Sequence, residues 1–378
     1  MYITTKTIES DGFINRNMFH PKAGLHPSGR IHLAIQTIGS GDYFGPVEYS
    51  FSDDHGQSWS KPAAIQELGW LKQENSPAEY QGVCDTVVNH DPQHDCMVFL
   101  GHSVFYKDDR FMDTQGTWNK EDTAPELRRR GCYSVLLPDG SWTPRALLEP
   151  PEFANHVIFM CGCGQRIVHK NGEWLIAFYG RESLATPYCF VTVCRMKFNG
   201  RKFEFIERGN LLELHNNRGL LEPSLLEFGG QTLITLRAED GHAYWSKSSD
   251  GLHYAPIQPW KFDDGTFLET SSTQQHWLFN QNKLFLSYTR KNEVNSQLVR
   301  FRAPLYIAEV DPLSMELIKS TEQVVFPIEG DLNKPSEVLL SGNFMPLQIK
   351  DGRWIITDGQ CMSAAPFISK FKVAFIDL

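Results

Sequence analysis

The sequence has no apolar run long enough to cross a bilayer, and its first residues, MYITTKTIESDGF, lack the charged and apolar regions of an export signal. These absences predict no membrane partner and a cytoplasmic location, with secretion left open. An excess of basic residues is also missing, because the net charge is −9 over 378 residues. Nucleic-acid binding needs a basic face, so we expect no nucleic-acid partner.

The cysteines do not form a recognisable framework. There are eight, and they are scattered apart from the pair Cys161-Gly-Cys163. No second pair has the spacing of a zinc site, which predicts reduced thiols and no metal. No glycine-rich loop follows a strand and opens a helix, so no organic cofactor is expected either.

Helical periodicity is scarce, and one strand-like unit recurs instead: a polar turn, an apolar strand and a polar or cationic end. Its six copies are residues 28–37, 94–103, 171–181, 229–240, 282–290 and 351–359. A repeated unit of about four strands is typical of a β-propeller. We therefore predict an all-β fold of six four-stranded antiparallel blades. Five or seven blades stay open, as does a β-sandwich with a second domain.

The two ends of the chain both have strand-like patterns. The last residues, KFKVAFIDL, are suited to pair beside the N-terminal YITTKTI and close the ring. No segment that resembles an interdomain linker interrupts the repeats. The prediction is therefore one domain that covers residues 1–378.

The stretch SDDHGQSW at 52–59 fits the Ser-x-Asp-x-Gly-x-Ser/Thr-Trp pattern called the Asp-box, and a degenerate copy, SSDGLHY, follows at 248–254. A turn that recurs in two units is architectural, so Asp54 and His55 are poor catalytic candidates. Asp-boxes in six blades resemble the sialidase (neuraminidase) superfamily. That resemblance covers nearly the whole chain.

Strand direction selects the residues that share the face opposite the Asp-box turns. Residues before first strands, after second strands and before third strands meet there. The predicted catalytic residues on this face are His20, Asp42, His102 and Tyr179. The predicted substrate-binding residues are Arg181, Glu222, Arg237, Tyr288, Arg290 and Arg302. So many arginines on one face of an acidic protein indicate a carboxylate ligand.

The sialidase resemblance implies roles for several of these residues. Sialidases hold the substrate carboxylate with three arginines, use a tyrosine nucleophile assisted by a glutamate, and use an aspartate as acid/base. LEPSLLEFGGQTLITLRAED places Glu222 and Arg237 at the glutamate and second-arginine positions, and RFRAPLYIAEVD places Arg302 at the third. Asp42 precedes the first Asp-box, where the acid/base is expected.

Two departures from the sialidase pattern stand out. Phe19-His20-Pro21 lacks the first arginine, and Gly342-Asn343-Phe344 has phenylalanine where the nucleophilic tyrosine is expected. We therefore predict a divergent enzyme that cleaves a glycosidic bond next to an acidic sugar, with an acidic oligosaccharide as its partner. A true exo-sialidase, a non-catalytic glycan-binding propeller and a protein-interaction scaffold are the alternatives.

Hydrolysis and elimination both remain open from the residues alone. In a lyase, Arg181 or Arg237 would neutralise a uronate, Tyr179 would remove the C5 proton and His102 would act as general acid. That role assumes that adjacent Arg181 lowers the pKa of Tyr179. In a hydrolase, His20 or Asp42 would assist a water molecule or a substrate hydroxyl. Nothing in the sequence predicts an oligomeric state.

Overall fold

Antiparallel strands make up almost all of the regular structure. The computed structural model describes residues 1–39, 42–112, 125–270, 272–281, 283–365 and 367–378. Within these residues the strands are β1 (Tyr2–Thr7), β2 (Met18–Leu25), β3 (Ile31–Thr37), β4 (Glu48–Ser52), β5 (Ala63–Ala64), β6 (Leu71–Lys72), β7 (Tyr80–Asp91), β8 (Cys96–Lys107), β9 (Arg110–Phe111), β10 (Arg129–Leu136), β11 (Ala146–Leu148), β12 (Ile158–Met160), β13 (Ile167–Val168), β14 (Glu173–Arg181), β15 (Phe190–Phe198), β16 (Phe203–Arg208), β17 (Leu221–Phe228), β18 (Gln231–Arg237), β19 (Ala243–Ser248), β20 (Gln258–Pro259), β21 (His276–Asn280), β22 (Lys283–Thr289), β23 (Leu305–Val310), β24 (Gln323–Phe326), β25 (Met345–Lys350), β26 (Arg353–Cys361) and β27 (Ser369–Asp377).

Helical structure is confined to single turns. In the described part of the chain the 3₁₀ helices are Gln66–Leu68, Pro125–Leu127, Pro151–Phe153, Val299–Phe301, Lys319–Thr321 and Pro335–Glu337. None of these described helices has the length or apolarity to span a membrane.

The described strands form five sheets, four of them four-stranded. Sheet 1 is β2-β3-β4-β5, sheet 3 is β17-β18-β19-β20, sheet 4 is β21-β22-β23-β24, and sheet 5 is β25-β26-β27-β1. Sheet 2 contains the eleven strands from β6 to β16. A parallel pairing of β10 with β12, at Arg129–Ile158 and Arg130–Phe159, joins the two antiparallel halves of sheet 2. The predicted count of six blades is therefore not confirmed by the sheets.

Each of the six repeated segments contains one long strand, β3, β8, β14, β18, β22 or β26. Each of these strands pairs antiparallel with a neighbour on both sides. Residue 282, the first of the fifth segment, lies outside the described residues. The first and last strands also pair, with Tyr2 opposite Asp377. The repeat thus marks a central strand with both faces buried, and burial of both faces explains its continuous apolar character.

The apolar core is divided among the faces between neighbouring sheets. Trp260 of the segment after β20 packs against Trp277 of β21, between sheets 3 and 4. Trp59 packs against Phe371 of β27, between sheets 1 and 5, with ring centroids 5.6 Å apart. Further apolar clusters join sheets 1 and 2, sheets 2 and 3, and sheets 4 and 5. These contacts run in a circle, which is the arrangement of an all-β propeller.

The SDDHGQSW turn connects β4 to β5 and is held by its own hydrogen bonds. Asp54 Oδ1 accepts hydrogen bonds from the Ser58 backbone N–H and the Ser52 hydroxyl, both at 2.8 Å. Gly56 adopts a φ of 87°, which glycine takes without strain. In the second copy, Asp250 Oδ1 accepts bonds from Leu252 N–H at 2.9 Å and His253 N–H at 2.8 Å.

Asp54→Ala is expected to lower the free energy of unfolding by about 1–3 kcal/mol, because it leaves several turn donors without an acceptor. Urea unfolding measures the change. Asp53→Ala is the matched control: this neighbouring carboxylate is exposed and pairs with exposed Arg30, so its loss should cost at most about 1 kcal/mol. Equal losses in both variants would contradict the architectural role of Asp54.

Candidate functional site

A cavity of about 180 Å³ collects polar side chains from segments that are far apart in the chain. It is lined by Phe19, His20, Asp42, Phe44, Cys84, Asp85, His102, Phe111, Arg129, Tyr179, Arg218, Leu221, Glu222, Arg237, Arg300, Arg302 and Asn343. Strand β2 brings His20 to it, β7 brings Cys84 and Asp85, and β17 brings Glu222, while β8, β14 and β18 bring others. Convergent titratable groups in a concave site are the usual mark of a functional centre.

Three titratable residues reach the cavity through the same backbone device. The strand pairing shifts register between Phe19 and Lys22 in β2, between Cys84 and Val87 in β7, and between Leu221 and Ser224 in β17. Inside these bulges His20, Asp85 and Glu222 have φ values of 51°, 54° and 42°. Positive φ is unusual for such residues and costs about 1–3 kcal/mol each. Bulges re-aim side chains, and here three of them direct titratable groups into one cavity.

Asp85 lies between two histidines. Its Oδ1 is 3.2 Å from His20 Nε2, and its Oδ2 is 3.8 Å from His102 Nε2. Burial would raise the pKa of Asp85, but the two imidazoles and the Lys22 ammonium outweigh it, so the net shift is downward. The carboxylate is therefore ionised at neutral pH and favours the tautomer of His20 that carries its proton on Nε2.

Both imidazoles are held in the neutral form. Burial, together with the neighbouring Arg129 guanidinium, lowers the pKa of His102 to about 3. Burial also lowers the pKa of His20, against the opposing effect of Asp85. A neutral imidazole can accept or donate a hydrogen bond, but it is not a general acid at pH 7. The environment therefore disfavours the acid role predicted for His102.

Glu222 is tied to one arginine and keeps one oxygen unpaired. Its Oε1 is 2.6 Å from Arg237 Nη1, whereas its buried Oε2 has no hydrogen-bond partner in the described part of the chain. Burial raises the pKa of Glu222, but Arg237 lowers it further, and the net shift is downward. The Arg237 Nε and Nη2 groups donate to Ser272 Oγ at 3.0 and 2.6 Å. Glu222 is thus an ionised carboxylate with a lone pair available in a confined space.

Five arginines line the cavity, and they differ in their partners. Arg237 pairs with Glu222, and Arg218 donates from Nε to Glu239 Oε2 at 2.8 Å. Among the described residues, Arg129, Arg300 and Arg302 have no carboxylate within ion-pair distance. Burial and the positive charges of Arg300 and Arg237 lower the pKa of Arg302 to about 9. Such a group of mutually repelling cations is suited to an anionic ligand.

Tyr179 is buried in the cavity wall, and the prediction that adjacent Arg181 lowers its pKa is wrong. Burial raises the pKa of Tyr179 well above its ordinary value, and the negative charge of Glu222 raises it further. The Arg181 side chain turns away and donates to backbone carbonyls of its own loop, at Ser183, Leu184 and Thr186. Tyr179 is therefore a neutral hydroxyl at pH 7.

The structure brings together seven of the ten predicted site residues. His20, Asp42, His102, Tyr179, Glu222, Arg237 and Arg302 all line the cavity. Asp42 is exposed at the cavity, with a φ of 60°, whereas His20, His102 and Tyr179 are buried.

Arg181, Tyr288 and Arg290 are not among the residues that line it. The Tyr288 hydroxyl donates to Glu322 at 2.7 Å, and Arg290 pairs with the same carboxylate at 2.5 Å. Glu322 comes from a later connection and captures both side chains outside the cavity.

Sequence reasoning missed Asp85, Arg129, Arg218 and Arg300. Asp85 occupies in β7 the place that His20 and Glu222 occupy in β2 and β17, just inside a first strand. Applied to VCDTVV, the rule that selected His20 and Glu222 would have found it. The three arginines lie at the start of β10 and in long connections, where no sequence period indicates their direction.

Among the residues that the structure describes, the cavity contains one group of metal-ligand atoms. Cys84 Sγ, Asp85 and His102 Nε2 lie within 4.8 Å of one another, with Cys84 Sγ 3.2 Å from His102 Nε2. Arg129 lowers the pKa of this imidazole, and the same positive charge disfavours a bound cation. The absence of a metal at this site stays a prediction.

Larger cavities occur elsewhere, but they hold fewer convergent charged groups. A cavity of about 520 Å³ adjoins the first and shares Phe19, Asp42, Phe111 and Arg302 with it. A cleft of about 800 Å³ lies beside the SDDHGQSW turn and is lined by His26, His32 and Tyr49 among others. The smaller cavity is the better functional candidate, because its polar atoms include buried ones without partners.

No family model matches the sequence, and no curated protein matches it either. Solved structures do. A Dyadobacter fermentans protein of unknown function has a TM-score of 0.66 at 16% identity, covering 99% of each chain. Trypanosoma rangeli sialidase matches with a TM-score of 0.62 at 17% identity, and the match covers 98% of this chain and 57% of the sialidase chain. The Hadza microbial sialidase Hz136 matches with a TM-score of 0.66 at 14% identity, and the match covers 96% of this chain and 66% of the sialidase chain. The fold is thus an all-β propeller whose structural neighbours include sialidases.

Proposed function

We propose that this chain is a glycoside hydrolase that cleaves a glycosidic bond next to an acidic sugar. The observation that carries the proposal is the set of guanidinium groups of Arg129, Arg300 and Arg302, which lack a carboxylate partner among the described residues. They surround a cavity that also contains Tyr179 and ionised Glu222. A ligand carboxylate would supply the missing negative charge through charge-assisted hydrogen bonds.

The proposal includes a closed ring of six blades in one domain, with sheet 2 contributing two of them. A cluster with Val98, Trp174 and Phe198 packs the two halves of sheet 2 face to face, as other clusters pack separate sheets. One cavity of about 400 Å³ is lined by residues of β2, β7, β13, β17, β21 and β25. Six inner strands around one axial opening support six blades, with β10–β12 as a bridge between two of them.

Hydrolysis is favoured over elimination by the charge states. A lyase would need a tyrosine with a lowered pKa and a protonated histidine, and both shifts run in the opposite direction here. A hydrolase can use a neutral tyrosine hydroxyl as nucleophile, provided that an ionised carboxylate takes its proton as it attacks. Glu222 and Tyr179 line the cavity together as such a pair, and Asp42 supplies an exposed carboxyl group at its mouth.

In this proposal, the functions of the two missing sialidase residues are supplied by other residues of the ring. Phe344 is fully buried in the core beside His276, whereas Tyr179 supplies a hydroxyl from a different strand. His20 stands where the first arginine is expected, and Arg129 and Arg300 add positive charge to the same cavity. We propose that Tyr179 acts as the nucleophile and that these two arginines replace the missing one.

Substrates larger than one sugar suit the adjoining cavity of about 520 Å³. Asp42 and Arg302 belong to both cavities, so a bond between the two halves of a substrate would lie near Asp42. The acidic sugar would occupy the arginine-lined side, and the leaving group the other.

The test is a panel of aryl glycosides of sialate, glucuronate and galacturonate, with glucose and galactose as neutral partners. We expect release of the aryl group from an acidic glycoside only. Arg302→Ala should raise KM roughly 10- to 150-fold, since a charge-assisted hydrogen bond contributes about 1.5–3 kcal/mol. Arg181→Ala is the control, and its KM should stay within about twofold, because this arginine is not among the lining residues and donates to carbonyls of its own loop.

Equal turnover of neutral and acidic glycosides would refute the carboxylate site. An unsaturated uronate product, detected by its ultraviolet absorbance, would assign the chain to the lyases instead. Tight binding of an acidic glycan without turnover would favour the glycan-binding propeller.

A further inference from the structure

A cluster of three metal-ligating side chains lies on the face opposite the arginine-lined cavity. His26 Nε2 is 2.9 Å from Asp95 Oδ1, and His90 Nε2 is 3.1 Å from the same oxygen. His26 directly follows β2, six positions after His20, and this length of extended chain spans roughly 20 Å. The cluster is therefore independent of the proposed catalytic residues.

Close contact between two strands brings the histidines together. A Cβ added at Gly24 of β2 would collide with the backbone carbonyl of Val88 in β7, so only glycine permits this approach. His26 lies two residues after Gly24, and His90 lies two residues after Val88. Their rings meet edge to face with centroids 4.9 Å apart.

We propose that His26, His90 and Asp95 form a binding site for a divalent transition-metal cation, with Zn²⁺ as the best match. Their ligand atoms all lie within 4.8 Å of one another. Bonds of about 2.0–2.2 Å in tetrahedral geometry would place such atoms roughly 3.3 Å apart. Two imidazoles and one carboxylate suit Zn²⁺ and its first-row neighbours, and leave a position for water.

The surroundings support a metal ligand at His26. The Ser28 hydroxyl lies 2.8 Å from His26 Nδ1 and can accept its proton when Nε2 binds the metal. In the metal-free state the Ser28 backbone N–H points to Nδ1 at 3.1 Å and favours a proton on Nε2. Metal binding at Nε2 would therefore require the ring proton to move to Nδ1, where the Ser28 hydroxyl replaces the Ser28 N–H as its hydrogen-bond partner. The imidazole would keep one proton throughout.

The site would also connect two sheets. His26 belongs to the turn of sheet 1, whereas His90 and Asp95 belong to β7 and the turn that follows it in sheet 2. Asp95 is two-thirds exposed, so it can move toward an ion, and the cation can enter from the cleft beside it. A metal that binds only the folded state would raise the unfolding temperature.

The experiment titrates tag-free, EDTA-treated full-length protein with ZnCl₂ by calorimetry and with CoCl₂ by visible absorption. We expect one ion per chain, with Co²⁺ spectra typical of nitrogen and oxygen ligands. His26→Gln and His90→Gln should each weaken Zn²⁺ binding on the order of 100-fold. His55→Gln is the matched control, because His55 lines the same cleft but lies outside the cluster. MgCl₂ and CaCl₂ should not raise the unfolding temperature, since these ions prefer oxygen ligands.

Unfolding temperatures without metal establish that each variant is folded, and Asp95→Asn provides a third variant at an exposed position. Absence of Zn²⁺ binding to the wild type, or unchanged binding in His90→Gln and Asp95→Asn, would overturn the site. Activity on glycosides plays no part in this readout, so failure of the metal site and failure of the proposed hydrolase are separate results.

Discussion

Tyr179→Phe is expected to reduce kcat on an acidic aryl glycoside by roughly 100- to 10,000-fold, the range for loss of a group that acts in the transition state. The reason is that this buried hydroxyl shares a cavity with Glu222, whose free Oε2 is the base available to it. The affinity for a carboxylate-bearing product should change little, because the arginines remain. Steady-state kinetics and product-inhibition constants measure the two effects.

Glu222→Gln should produce a loss of similar size, and the double variant should be little worse than either single one, since the two groups act as a unit. Because the pKa of Glu222 is lowered, wild-type activity should persist on the acid side until the pH falls below about 4.3, the ordinary value for glutamate. Tyr288→Phe is the matched control: it removes a tyrosine hydroxyl that the sequence assigned to the site but that bonds Glu322 elsewhere. A comparable rate loss in that variant would exclude Tyr179 as the specific nucleophile.

Asp358→Asn is expected to stabilise the protein at pH 8 by up to roughly 4 kcal/mol, because burial raises the pKa of this carboxyl from 3.8 to about 7. Asp358 lies fully buried in β26, and among the described residues no donor meets hydrogen-bond geometry at either of its oxygens. The nearby Ser341 and Gln360 side chains oppose the upward shift of its pKa without reversing it. Between pH 4 and 7 the folded state holds a proton that the unfolded state has released. Stability from this group is therefore complete below pH 4 and is lost as the pH rises to 7.

Urea unfolding at pH 5, 6, 7 and 8 measures the effect. The advantage of the variant over the wild type should grow by about 1.4 kcal/mol per pH unit up to pH 7 and then level off. Asp351→Asn, in the exposed turn before β26, should show no such trend. A variant that is less stable by the same amount at every pH would mean that the Asp358 carboxylate is favourably paired, and the prediction would fail.

The strands were predictable from the sequence because strand formation depends on the pattern of neighbouring residues. The alternation and the apolar runs of the six repeats depend on neighbouring residues only, and each repeat forms one strand paired on both sides. The architectural role assigned to Asp54 was predictable for the same reason: its bonds to Ser52 and Ser58 span four residues or fewer.

The candidate site was predictable in part. His20 and Glu222 lie at strand ends that the repeat identifies, and the same rule applied to the first strand of the next unit would have added Asp85. Arg290 also lies at a strand end, but Glu322, 32 residues later, holds it outside the cavity. A partner that far along the chain leaves no trace in the local pattern.

The strands, their repeat and the turns thus follow from local patterns, because hydrogen bonds and burial within each unit involve residues close in the chain. The three-dimensional arrangement was needed to identify the arginines that have no carboxylate partner among the described residues, the raised pKa of Tyr179 and the lowered pKa of His102. These properties depend on burial and on charges from distant strands, and Coulomb interactions follow distance in space rather than position in the chain.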